Sequence, residues 1–116
     1  MSRIDRLESL IKREVADVLT RRMPHANLGF VSITRVKLAP DLSTVSVFYS
    51  QFGSDQDRQK TRRFLSQASG FIKGEVGRVM STRTVPNFHF VYDDTLAKAA
   101  DMVVRINAII QDDITS

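Results

Sequence analysis

The 116-residue chain contains no cysteine, only 3 prolines and only 5 glycines. Without cysteine there can be no disulfide framework and no thiolate metal site, a composition compatible with a reducing compartment. No run of strictly apolar residues exceeds three, Phe90-Val91-Tyr92 being one, so no segment reads as a membrane-spanning helix. Arg3, Asp5, Arg6 and Glu8 break up the apolar stretch that a secretory leader needs. The expectation is a soluble, intracellular protein of the cytoplasm with no membrane partner. The chemistry of catalysis is equally sparse. His25 and His89 are the only histidines and sit in no HExxH or paired-ligand pattern, so no metal is expected. There is no glycine-rich phosphate loop, and Ser69 stands in no G-x-S-x-G elbow. Asp93-Asp94 reads as a helix cap rather than as an acid/base pair. The chain is therefore expected to be neither an enzyme nor a cofactor carrier.

What is present is enough for one core. Hydrophobic residues make up 42% of the chain, which suits a single domain over 1–116 with a frayed tail at 113–116. Ile4, Leu7, Ile11, Val15 and Val18 recur at spacings of three and four, predicting a helix from about Arg3 to Met23. Glu8/Lys12 and Asp17/Arg21 would support its exposed face as i,i+4 pairs. From Phe30 to Leu38 the period shortens to two and slips near Thr34-Arg35, which predicts a strand with a bulge. Pro40-Asp41 supplies a turn, and Val45, Val47 and Tyr49 alternate through a second strand of the same hairpin. Phe64, Leu65, Ala68, Ile72, Val76 and Val79 form the stripe of a second helix. Phe88, Phe90 and Tyr92 mark a third strand, and Leu96 to Ile110 a last helix. The order α-β-β-α-β-α points to an α+β domain, one sheet with its helices on one face.

Charge and glycine are both concentrated on the second helix. Arg58, Lys60, Arg62, Arg63, Lys73, Arg78 and Arg83 face a single acid, Glu75, between positions 58 and 83, whereas the chain from Asp93 onward is net acidic. Such clustering points to a polyanion, although a solvated helix face gives the same pattern. On a wheel of about 100° per residue, Gly70, Gly74 and Gly77 fall within about 60° of one another, away from the apolar stripe. Arg63 joins them if the helix is continuous. Lys73 and Arg62 flank the strip on one edge, Arg78 and Lys60 on the other. Each glycine costs about 1 kcal/mol against alanine in a helix interior, so bare backbone here calls for a return. Two returns are open: close approach of a phosphate backbone, or a seat for a partner helix on Gly70-x-x-x-Gly74.

Four stretches together carry a resemblance. They are Arg3-x-x-Arg6 with Ile11-Lys12-Arg13-Glu14; Leu28 to Thr34 followed by Pro40-Asp41-Leu42-Ser43; Ala68-Ser69-Gly70-Phe71-Ile72; and Val85 to Phe90 with Tyr92-Asp93-Asp94 after it. In this order the chain, from about Arg3 to Ile110, resembles the bacterial ribosome-binding factor A family. Met23 to Asn27 and Ser81-Thr82 depart from the family's pattern near the two loops.

The resemblance implies a type II KH-like fold with a helix-kink-helix at Ala68-Ser69-Gly70, where an Ala-x-Gly stands in place of the GxxG that clamps single-stranded RNA. The literal GxxG, Gly74-Glu75-Val76-Gly77, reads as a decoy, since Val76 is in phase with the core. The family implies a monomeric assembly factor that binds the small (30S) ribosomal subunit and its 16S rRNA during late maturation and rRNA processing. It also implies a role in growth in the cold and release linked to a maturation GTPase. On this reading Arg62, Arg63, Lys73, Arg78 and Arg83 contact phosphates. Ala68, Ser69, Gly70 and Gly74 admit the backbone, and Arg3 and Arg6 add contacts. The alternatives are a protein-interaction module built on the glycine strip and a KH-like RNA binder unrelated to ribosomes.

Overall fold

The structure, a computed structural model, describes residues 2–23 and 31–95. Ser2 opens helix α1 (Arg3–Asp17) with a reciprocal cap: its hydroxyl accepts the Asp5 N–H, and the Asp5 carboxylate accepts its own N–H. Leu7, Ile11 and Val15 are buried along one stripe. The helix then widens into a single π-turn, Val18–Arg22, with Val18 fully buried. Of the two expected i,i+4 pairs, Asp17 meets Arg21 at 3.3 Å. Glu8 does something else: it turns to the sheet and accepts the Leu38 N–H at 2.7 Å. A backbone donor on an edge strand holds a carboxylate more firmly than a solvated lysine does.

The hairpin forms as its alternation requires. Strand β1 (Val31–Leu38) pairs antiparallel with β2 (Thr44–Gln51), and the register shifts between Ile33 and Arg35, leaving Thr34 as the bulged residue. In the turn the Asp41 carboxylate accepts both the N–H and the hydroxyl of Ser43, and Leu42 takes a positive φ of 63°. Helix α2 (Asp55–Gly77) starts with a second reciprocal cap between Ser54 and Asp57. Strand β3 (Asn87–Tyr92) lies parallel to β2, giving the order β1-β2-β3. Parallel neighbours need a crossover, and α2 supplies it, running antiparallel to β3.

One face of the sheet carries the core. Val45, Val47 and Tyr49 of β2 are buried, and α1 covers β1 while α2 covers β3. Val45 and Val47 form one cluster with Leu7, Ile11, Val15, Val18, Leu38, Ala68, Ile72, Val76, Met80 and Phe88. The opposite face is polar apart from the paired Phe48 and Val91; the Phe48 ring lies 4.0 Å beneath the Arg35 guanidinium.

Helix α2 runs continuously through Ala68-Ser69-Gly70 to Gly77. Ser69 donates its hydroxyl to the Ser66 carbonyl at 2.9 Å, the kind of back-bond that bends a helix without ending it. One expectation for α2 is corrected: Val79 is not part of the core stripe. The helix stops at Gly77, so the wheel no longer applies, and Val79 is 43% exposed while Met80 turns inward. The Pro24–Phe30 segment and the expected last helix, Leu96 to Ile110, lie outside the described residues.

Asp93 ties the two outer strands across β2. Its N–H donates to the Tyr49 carbonyl at 2.6 Å, and its carboxylate accepts the Thr34 hydroxyl at 2.8 Å and the Thr95 N–H at 3.0 Å. The bonds from Thr95 and then Thr34, with Arg35 nearby, pull this carboxyl down to about 2. A carboxyl depressed on folding stabilises the fold above its unfolded value and loses that contribution as pH falls towards 2. Asp93→Asn is therefore expected to lower the thermal midpoint at pH 7, with the gap to wild type closing between about pH 4 and pH 2. In the core, Ile72→Ala should cost about 2–5 kcal/mol in a denaturant titration, as a cavity at a fully buried position does.

Candidate nucleic-acid interface

With α2 fixed on β2 and β3 by its apolar stripe, its neighbouring flank faces the edge of β3. Residues 62, 66, 69 and 73 follow one another on this flank at spacings of four, three and four. Arg62, Ser66 and Ser69 of this flank line a groove of about 210 Å³ together with Tyr49, Phe88, His89 and Phe90. At one end Lys73 donates to the Asn87 side-chain oxygen at 2.8 Å. At the other, Arg58 lies 5.5 Å from the centre of the Tyr92 ring and pairs with Asp55. Burial pushes the Tyr49 hydroxyl above the usual phenol value, opposed in part by the charge of Arg62, so it stays a neutral group in the groove. Tyr49 and Phe88 are almost wholly buried, so the groove presents mainly its hydroxyls, the Arg62 cation and the partly buried Phe90.

The glycine strip proves to be two features. Gly70 and Gly74 are exposed, and a Cβ built on either meets nothing within 4 Å. Arg63 is exposed on the continuous helix and joins this bare face, as the wheel requires. Gly77 does not belong to the open strip: a Cβ there would stand 3.0 Å from Val85 Cγ2 in the loop that follows. Its role is to let that loop pack, so one of the three glycines is explained within the domain.

The remaining cations divide. Lys73 and Arg62 lie on the β3 side. Arg78 lies on the other side, 77% exposed and 3.9 Å from Glu75. Glu75 itself is bonded to Arg22 at 2.7 Å and so points towards the end of α1. Val76 is fully buried, in keeping with the reading of Gly74-Glu75-Val76-Gly77 as a decoy. Arg83 is exposed in the loop after α2. Arg3 and Arg6 are exposed on α1, which covers the opposite edge strand, and neither borders the groove. Ala68 is buried in the core, so its part is to seat the helix rather than to face a ligand.

Sequence reasoning missed Tyr49, Ser66, Phe88, His89 and Phe90 as members of this groove, and Asn87 as the partner of Lys73. The polar 62-66-69-73 spacing beside the apolar stripe was the available signal. The strand residues gave none, since alternation does not say which helix a strand will meet. Among the described residues no group of three or more His, Asp or Glu could hold a metal ion.

Fold and groove define a small KH-like α+β domain with a cationic helix flank against an edge strand. Comparison with known proteins is specific. A family model described as ribosome-binding factor A matches residues 3–110, and the chain belongs to that family. A ribosome-binding factor A from Thioalkalivibrio sulfidiphilus is 35% identical over 112 residues, covering 97% of this chain and 87% of the relative. The crystal structure of ribosome-binding factor A from Thermus thermophilus matches with a TM-score of 0.69 at 23% identity, over 78% of this chain and 97% of that one. A Thermus thermophilus homology model, fitted into a cryo-electron-microscopy map of a complex of that factor with 30S, matches with a TM-score of 0.62. It is 25% identical over 76% of this chain and 92% of that one.

The two kinds of glycine can be separated by stability alone. Gly74→Ala should gain up to about 1 kcal/mol in chemical denaturation, because open space receives the methyl and alanine favours the helix. Gly77→Ala should gain less, by whatever Val85 must yield.

Proposed function

We propose that the domain binds the RNA of the small ribosomal subunit through the α2–β3 groove and the bare Gly70–Gly74 face beside it. The observation that supports this most is the placement of Arg62, Ser69 and Lys73 on one helix flank, next to exposed backbone, in a chain of the ribosome-binding factor A family. The Thermus thermophilus relative is described in a complex with 30S, which supports the small subunit as the partner. Phosphates of the 16S rRNA would meet Arg62, Arg63, Lys73, Arg78 and Arg83, and Arg3 and Arg6 would add contacts from α1. Gly70 and Gly74 let the RNA backbone approach the helix. Contacts of this kind position the partner without chemistry, so the domain acts as a non-enzymatic, monomeric assembly factor. Its place is late maturation of the subunit and processing of its rRNA, in the cytoplasm, in support of growth in the cold. Its release is tied to a maturation GTPase.

A partner helix seated on Gly70-x-x-x-Gly74 would use the same open space. Arg63 and Lys73 bordering it weigh against an apolar helix and for a polyanion. Ionic strength separates the two, since phosphate contacts weaken steeply with salt and a packed helix does not.

The test is co-sedimentation with purified small subunits and with complete ribosomes at several salt concentrations. Binding should favour free small subunits and fall steeply with salt. Lys73→Gln should weaken it while lowering the logarithmic salt slope by about 0.7–0.9, the share of one phosphate contact. Gly74→Ala should lower affinity although it raises stability, so that the two quantities move in opposite directions. Binding that ignores salt, with Lys73→Gln and Gly74→Ala both silent, would overturn the reading.

A further inference from the structure

Glu75, the acid in the C-terminal half of α2, is held by a residue from another element. Glu75 is only 14% exposed in its side chain and sits one residue after Gly74 and three before Arg78. Left alone, its natural partner is Arg78, at i,i+3 on the same helix end. In the structure its Oε2 accepts from Arg22 at 2.7 Å, while Oε1 keeps only a long ion pair of 3.9 Å with Arg78, whose side chain is 77% exposed. Arg22 wins because it is doubly anchored: Asp17 lies 3.1 Å and Glu14 3.4 Å from its second guanidinium nitrogen. The forked guanidinium can meet several carboxylates at once, whereas Arg78 offers Glu75 one distant nitrogen.

The π-turn makes this reach possible. On an α-helical wheel Arg22 would stand about 80° away from Glu14, eight residues earlier. The wider turn over Val18–Arg22 swings it back above Glu14 and Asp17 and aims its free nitrogen at α2. Such turns lack the packing of a regular helix and recur where a side chain has to be re-aimed for function.

We infer that Arg22 is a positioning residue for RNA binding: by holding the Glu75 carboxylate from the π-turn of α1, it keeps the Glu75–Arg78 pair long and leaves Arg78 available to a phosphate. This rests on the proposed function. Arg22 does not touch the RNA itself. Without it, Glu75 closes on Arg78 through their shared helix end, and the basic face loses one available cation.

The experiment is a mutant cycle on the full chain, read as affinity for purified small subunits at low salt and at a temperature where circular dichroism shows every variant folded. Arg22→Gln should weaken binding roughly threefold to tenfold, the effect of one lost charge-assisted contact, and lower the salt slope by about 0.7–0.9. The same change should add nothing in an Arg78→Gln background, where there is no cation to release. It should also be silent in a Glu75→Gln background, where there is no carboxylate to hold. If Arg22→Gln costs as much with Arg78→Gln as without it, Arg22 acts as a contact or as packing and the inference falls. The Arg78→Gln background keeps the test decisive even where Arg22→Gln proves unstable, because a purely structural loss would persist there. Failure of the wild-type protein to bind subunits at all would instead overturn the proposed function.

Discussion

The packing of Leu65, Ala68, Ile72 and Val76 onto β2 and β3 is the constraint from which the rest of the molecule follows. A helix held by one stripe has its rotation fixed, and with it the destination of every other side chain. The flank next to the stripe on one side meets β3, which places Arg62, Ser69 and Lys73 along the groove. The far side carries Gly70 and Gly74 to solvent. The remaining flank faces α1 and brings Glu75 to Arg22. One hydrophobic contact surface thus sorts the helix into a core face, a cationic rim, a bare face and an ion-pair face.

That sorting also explains why the glycines are tolerable. Gly77 admits Val85 and so belongs to packing, whereas Gly70 and Gly74 give up helix stability at positions where nothing among the described residues packs against them. Their smallness is what the proposed approach of an RNA backbone would use. The charge pattern agrees. The acid that sits amid these residues is bound by a cation from another element, so the bare face is bordered by positive charge with its only local counter-charge engaged.

Much of the fold was legible because it is written in periods. The stripes of α1 and α2, the alternation of three strands and even the bulge at Thr34 follow from local spacing. Both capping boxes could be read in the same way, from Ser2-x-x-Asp5 and Ser54-x-x-Asp57. What spacing does not encode is which elements meet. The parallel pairing of β3 with β2 has no local signature, and so His89 and Asn87 could not be placed beside Ser69 and Lys73. Nor does spacing mark an ending: Val79 continues the apolar pattern past Gly77, but the helix has stopped and Met80 takes the buried place. Glu8 went astray for a related reason, since its partner on β1 is a backbone N–H thirty residues on. The family likeness was legible because it depends on the order of short motifs, which the linear chain preserves.

The most direct test of the central claim is a cryo-electron-microscopy map of this protein bound to small ribosomal subunits. The account predicts that the α2–β3 groove, with Arg62 and Lys73 along it and Gly70 and Gly74 beside it, lies against rRNA phosphates. A map in which that face looks into solvent, while α1 or the open side of the sheet rests on the RNA, would contradict it.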